Sequence, residues 1–279
     1  MLNVREYHRP TSVDAALSLL LRPVVRSVAL AGGTHLVGTD AADVEAVVDL
    51  QDLQLSHIRA DTDSVHIGAM TRLEELADSP LTRALAGGLV ARAAHGSTTS
   101  VLRHQATLGG SLVAAVNADV VAALLVLDAE AMTLVPGERR FTLWEFCRDP
   151  RAVLAGGLLI EVQIRVPPAA TGAAYHKVAR TPADQAIVGI AARLGAEAGR
   201  CSQVRLAAFG IGPAPVRLEE AEAALQGQVV DEKSIAAAAD AARGAVVPIE
   251  DFRASAEYRR EMVSVLTTRA VRDAWENID

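Results

Sequence analysis

The sequence predicts an α+β fold in two parts, and three observations carry that expectation. Strand-like and helix-like segments alternate up to residue 166, giving an α/β or α+β first part. Pro167-Pro168, followed by Thr171-Gly172, then breaks the pattern and marks a domain boundary. Beyond it three strand-like runs precede three helical ones, the order of a layered α+β domain.

Ser12 or Asp14 caps a first helix whose apolar residues include Ala15, Ala16, Leu19 and Leu20, and Pro23 ends it. Residues 27–31 and 46–50 read as strands, and 57–59 and 64–68 as a strand pair around the polar turn Asp61-Thr62-Asp63. Thr71 and Glu74 have capping-box spacing and open a helix through Leu76, while residues 81–94 keep helical spacing. Residues 119–127 are apolar enough for a buried helix, and 132–135 and 158–166 read as strands. In the second part, 173–178, 186–194 and 204–211 read as strands with a turn at 195–199. Helices follow at 216–225, 231–243 and 256–275.

Composition narrows the function. Apolar residues make up 51% of 279 and aromatics 3%, so a large core must be built mostly of Ala, Val and Leu. A net charge of −7 with no basic run argues against a nucleic-acid partner. The two cysteines, Cys147 and Cys201, cannot supply the four thiolates of an iron–sulfur cluster or a zinc site, and reduced thiols suit a cytoplasmic protein. The first eight residues are too polar for a signal peptide. The longest strongly apolar run, 120–127, is far short of the roughly 20 residues that span a membrane.

Two glycine-paired segments carry the functional signal: Leu30-Ala31-Gly32-Gly33-Thr34-His35-Leu36 and Thr107-Leu108-Gly109-Gly110-Ser111-Leu112. Glycine takes φ > 0 at little cost and lets a ligand approach the backbone. Successive N–H groups in such a turn form a concave nest for an anion. Two nests suit a ligand with several negative groups, such as a dinucleotide pyrophosphate. Neither segment is a G-x-G-x-x-G fingerprint or a P-loop. His35 sits inside the first nest, as a cofactor contact or a turn residue facing solvent. His95, His104 and His176 lack metal-ligand spacing, and His66 reads as a strand surface residue. Arg180 and Asp184 have the spacing of a simple ion pair, and the charges of 257–272 that of a solvated or subunit face.

The order of motifs along the chain is specific. Tyr7-His8-Arg9-Pro10, the first glycine turn, Val48-Asp49-Leu50 and Ile67-Gly68-Ala69-Met70-Thr71 come first. Arg103, the second glycine turn, residues 124–129, residues 175–180, residues 256–260 and Arg269-Ala270-Val271 follow. Over essentially its whole length the chain closely resembles the FAD-binding medium subunits of the molybdenum hydroxylases, the family of carbon monoxide dehydrogenase and xanthine dehydrogenase. The resemblance implies a two-part FAD-binding domain of the vanillyl-alcohol-oxidase-like (PCMH-type) fold over residues 1–168. It implies a smaller C-terminal domain over 172–275, a three-stranded antiparallel sheet with helices. It also implies one FAD, with its pyrophosphate on residues 30–37, ending at Val37, and on 107–111. Asp119 is a further contact, Leu158 lies near the flavin and Lys177 is a polar contact. The implied partners are a large molybdenum-cofactor subunit and a small [2Fe–2S] subunit, in a dimer of heterotrimers. Electrons pass from the clusters to FAD and on to an external acceptor, and no side chain here serves as acid, base, nucleophile or metal ligand. An autonomous FAD oxidoreductase and a cofactor-free assembly subunit of the same fold are the alternatives. The chain departs from the family at Ser111, where Asn is usual. It also departs in loop 112–119, one residue short and without its proline, and in 98–103, which lacks a Pro-Gln pair.

Overall fold

The computed structural model describes residues 4–38, 42–114, 118–134, 137–181 and 184–278. Val135 of the expected strand and residues 115–117 of loop 112–119 lie outside them. The chain forms two compact units, each discontinuous in sequence. One comprises Met1–Leu76, Ser100–Val116 and Ala129–Ile164; the other comprises Ala77–Thr99, Asn117–Asp128 and Arg165–Asp279.

The first unit carries two sheets. β1 (Glu6–His8), β2 (Ser27–Leu30) and β3 (Ala46–Asp49) are parallel in the order β1-β3-β2. β3 is central and buried at every residue. The helix Val13–Leu20 is capped by Ser12, whose hydroxyl accepts the Ala15 N–H at 3.3 Å. Its Ala16 packs with Val48, Leu50, Leu53, Leu55, Met70 and Leu158. The second sheet runs β4-β5-β8-β6-β7, from β4 (Ile58–Ala60), β5 (Ser64–Gly68), β6 (Glu130–Leu134), β7 (Glu138–Thr142) and β8 (Leu158–Arg165). β4 and β5 pair antiparallel, and Asp61 makes the turn by accepting the N–H groups of Asp63 and Ser64.

The capping box expected at Thr71 and Glu74 is absent. The Thr71 hydroxyl is claimed by the His57 backbone, Glu74 turns to Arg103 at 2.6 Å, and Glu75 caps the Arg72 N–H at 2.8 Å. A full capping box stands instead at Thr142 and Glu145, opening the helix Leu143–Arg148.

The second unit is built on an antiparallel sheet of β9 (Thr171–Val178), β10 (Val188–Glu197), β11 (Arg200–Phe209) and β12 (Val216–Arg217), ordered β12-β11-β10-β9. The three expected strands are its body. The two-residue β12 takes the place where a helix was expected to begin, and that helix starts at Glu219. Ala198 (φ +49°) and Gly199 (φ +73°) join β10 to β11, both left-handed as the tightest hairpin turns require. β10 is buried from Val188 through Leu194, which explains its nearly unbroken apolar run. Val188, Ile190, Ala192 and Leu194 join a core completed by the helices Glu219–Leu225, Glu232–Ala245 and Ala256–Glu276. The buried helix Ala118–Val126 packs on β10 and β11.

Residues 81–94 do not form one helix. Ala86, Gly87 and Gly88 all have positive φ and separate Pro80–Ala84 from Leu89–Gly96. Arg259, fully buried, donates to the carbonyls of Ile187 and Gly210 and to Asp251, fastening the last helix to the sheet's connections.

Candidate functional site

The first glycine turn continues directly from β2. Its strand partner ends level with it, the Leu50 N–H donating to Leu30 O at 2.9 Å. Gly33 then turns left-handed at φ +72°, and the Val37 N–H closes back on Gly33 O at 3.1 Å. Among the described residues no protein acceptor takes the N–H groups of Gly32, Gly33, Thr34 or His35. Thr34 and His35 are exposed, and Val37 is 72% exposed. Four successive N–H groups without an acceptor among the described residues, at a glycine turn, are the makings of an anion nest.

The second turn is built differently from the open nest expected of it. Neither Gly109 nor Gly110 has positive φ; both lie in the helix Leu108–Val113. Thr107 caps that helix by accepting the Gly110 N–H at 3.1 Å, and Ser111 N–H donates to Thr107 O at 3.0 Å. Leu108 N–H donates to Thr71 O at 2.9 Å and Gly109 N–H to Ala69 O at 2.8 Å. All four donors are engaged. Glycine is required at 109 by proximity, since a Cβ would stand 2.8 Å from Ala69 O. The Ser111 hydroxyl also turns inward, donating to Thr107 O at 2.9 Å.

The two turns meet. A Cβ on Gly32 would overlap Gln105 O, and one on Gly110 would touch the Ala31 methyl at 4.0 Å. The second segment therefore forms the wall against which the first is set. Buried Arg103, paired with Glu74, fastens the chain just ahead of it. Leu36 flanks the first turn half-buried, and Leu158 is buried at the start of β8 beside Val48, Leu50 and Met70.

Asp119 and Lys177 belong to the other unit and lie 3.1 Å apart. The Tyr175 hydroxyl donates to Asp119 Oδ1 at 2.7 Å, and its ring stacks on Phe209 with centroids 5.9 Å apart. Lys177 Nζ also donates to Gly96 O at 2.5 Å and Asp184 O at 3.2 Å, so its three protons have three protein acceptors. Burial pushes the Asp119 carboxyl up, against the pull of Lys177 and Tyr175. Burial and the Asp119 carboxylate push the Tyr175 phenol up. Lys177 is thus a packed, paired residue, with a side chain 10% exposed.

Residues 67–71 were singled out only as one of the ordered motifs; the role of Ala69–Thr71 as a strap beneath the second turn was not read, although Gly68, whose Cβ would collide with Leu55 O, stands at a crowded backbone there. His66 is no surface residue: its side chain is 13% exposed and bonded through both nitrogens. Arg180 and Asp184 pair at 3.4 Å as expected. Burial raises the thiols of Cys147 to about 12 and Cys201 to about 11, leaving both unreactive.

Residues 2–169 match the family described as the FAD binding domain in molybdopterin dehydrogenase, and residues 173–274 match the CO dehydrogenase flavoprotein C-terminal domain. The chain belongs to the FAD-binding subunit family of the molybdenum hydroxylases. It is 31% identical over 278 residues to the carbon monoxide dehydrogenase medium chain of Hydrogenophaga pseudoflava, covering 97% of this chain and 96% of that one. It is 29% identical to the caffeine dehydrogenase subunit beta of Pseudomonas sp. strain CBB1, covering 98% and 95%. A solved structure of carbon monoxide dehydrogenase from Hydrogenophaga pseudoflava superposes with a TM-score of 0.93 at 30% identity, covering all of both chains. Quinoline 2-oxidoreductase from Pseudomonas putida 86 superposes at 0.87 and 25% identity, covering 97% and 96%. Like the rest of this molybdenum hydroxylase subunit family, the chain is an oxidoreductase component with FAD as cofactor, and its fold is the expected PCMH-like domain followed by a C-terminal α+β domain. The N–H groups of residues 32–35, which have no acceptor among the described residues, suit an anionic group. Among the described residues no helix is long and apolar enough to cross a membrane.

Proposed function

We propose that this chain is the FAD-carrying electron-transfer subunit of a cytoplasmic heterotrimeric molybdenum hydroxylase. A large molybdenum-cofactor subunit and a small [2Fe–2S] subunit are its partners, in a dimer of heterotrimers. Residues 1–168 are the FAD-binding domain and 172–275 the C-terminal domain. The observation that carries the reading is the open turn at Gly32-Gly33, set in a chain of this family. Bound FAD supplies a centre that accepts electrons from the partner's clusters and yields them to an external acceptor.

The chain's own residues bind and orient. Gly32, Gly33, Thr34 and His35 offer their N–H groups to the pyrophosphate, and Thr107, Leu108, Gly109, Gly110 and Ser111 back that turn as a rigid wall. Hydrogen bonds to charged groups contribute about 1.5–3 kcal/mol each, so a few of them account for several kcal/mol before ordering costs. Ala31, Leu36 and Val37 give apolar surface to the cofactor, and Leu158, buried behind them, lies near the flavin. Asp119 and Lys177 are the remaining residues assigned to the cofactor in this reading. The test is co-purification of the tagged chain with its native partners, followed by metal analysis and an absorption spectrum. Larger and smaller subunits carrying molybdenum and iron, with flavin bands, are expected. Flavin without partners would support a stand-alone oxidoreductase, and no flavin after FAD reconstitution would overturn the electron-transfer reading.

A further inference from the structure

A second cluster of charged groups lies on the β4–β5–β8 face of the first unit. At its centre is Glu161 of β8, with a side chain 5% exposed. Its Oε1 accepts from His66 Nδ1 at 2.7 Å, and its Oε2 from His57 Nε2 at 2.9 Å and Arg59 at 2.8 Å. His66 Nε2 faces Asp61 Oδ2 at 2.8 Å. Both ring nitrogens of His66 therefore meet carboxylate oxygens, which only accept. Each must carry a proton, so the arrangement holds His66 as the imidazolium. Burial opposes that charge, but the bonds to Glu161 and Asp61 outweigh it and keep the His66 pKa above its ordinary 6.5. The charged and titratable groups around His66 are Arg59, opposite it on β4, His57 beside β4, Asp61 and Asp63 in the turn, and Glu161 on β8. On the far side, β6 sets the uncharged Met132 against Glu161.

This cluster is continuous with the second glycine turn. The His57 N–H donates to Thr71 Oγ1 at 3.1 Å, and the Thr71 hydroxyl donates back to His57 O at 2.9 Å. The carbonyls of Thr71 and Ala69 hold the N–H groups of Leu108 and Gly109, and the Ala69 N–H is bound to Ile160 O, next to Glu161. The strap that fixes the turn is thus anchored at one end by His57 and at the other by the β8 backbone beside Glu161.

We infer that Glu161 is a positioning residue for the second glycine turn, acting through His57 and Thr71, and that protonated His66 locks it in place, making FAD retention pH-linked. The inference rests on the proposal that these turns hold FAD. The sign follows from the raised pKa: the lock is in place from about pH 6.5 down to the acid range where Glu161 and Asp61 themselves take protons, and is released as pH rises through the folded value of His66. Deprotonation then leaves a ring lone pair facing a carboxylate.

The test is a titration of the FAD-depleted full chain with FAD at several values between about pH 6 and pH 9, read by quenching of flavin fluorescence. The wild type is expected to lose affinity roughly fivefold across that range. Glu161→Gln is expected to bind more weakly at the acid end and to show no step, while Asp63→Asn keeps the step. A flat wild-type profile, or an unchanged step in Glu161→Gln, overturns the inference. Should Glu161→Gln fail to fold by thermal melting, His66→Gln reads the same step, and its persistence there is equally fatal. A wild type that binds no FAD at any pH overturns the cofactor assignment itself, and this inference with it.

Discussion

Gly32 and Gly33 are adjacent and glycine for different reasons. Gly32 is held by contact, with no space for a Cβ against Gln105 O. Gly33 is held by its left-handed backbone, and a Cβ there would stand 3.4 Å from its nearest neighbour, Leu30 Cδ1. Gly32→Ala is therefore expected to lower the melting temperature by separating the two turns. Gly33→Val is expected to leave the fold intact at a cost of about 1–2 kcal/mol and to abolish flavin content in the purified protein. Full flavin in Gly33→Val would show that the nest does not hold the cofactor. Lys177→Met leaves the Asp119 carboxyl buried beside Tyr175 without its cation, a change costing about 3–5 kcal/mol in comparable buried pairs, measurable by urea denaturation. The glycine pairs were legible in the sequence because their backbone demand is local. Which demand each one answers was not, since Gln105 and Ala69 are brought in by the fold. The enclosure of Lys177 was hidden for the same reason: its acceptors Gly96, Asp119 and Asp184 lie in separate segments.

Elements were most legible where their pattern was periodic and least where a partner overrode it. The strands around β9–β11 and the helix at 118–126 stood out as apolar runs. Thr71–Glu74 and Thr142–Glu145 have the same spacing, yet only the second forms a capping box, because His57 takes the Thr71 hydroxyl and Arg103 takes Glu74. The break at Ala86–Gly88 was hidden because the apolar spacing resumes beyond it. Thr107→Ala removes the cap of the helix behind the glycine turn and is expected to cost about 1 kcal/mol in thermal unfolding. Gly189→Ala drives a methyl into the buried Phe209 ring and is expected to cost about 1–3 kcal/mol, read as a lowered urea midpoint.

For the molecule as a whole, stability should have a maximum in mid-range pH. Arg253 and the bond from Arg259 hold the Asp251 carboxyl well below the usual carboxylate range. Glu161 is also held below its ordinary value, its bonds to His57, His66 and Arg59 outweighing burial. Both contributions are present above the ordinary carboxylate values and are lost as pH falls through the lowered ones. His66 sets the other limb, its contribution fading as pH rises through its raised pKa. Urea midpoints measured across this range should fall on both sides, and Glu161→Gln should flatten the alkaline fall. The fold class and cofactor were legible from the order of motifs along the chain. The division into two discontinuous units was not, because it depends on which segments pack together rather than on where the composition changes. The enclosure of Lys177 has a practical consequence. The chain has only two lysines, and the other, Lys233, is exposed. An amine-reactive label should mark Lys233 at once and Lys177 only when its surroundings open. The slow phase of labelling then becomes a clock for breathing of the second unit, readable by mass spectrometry on the unmutated chain.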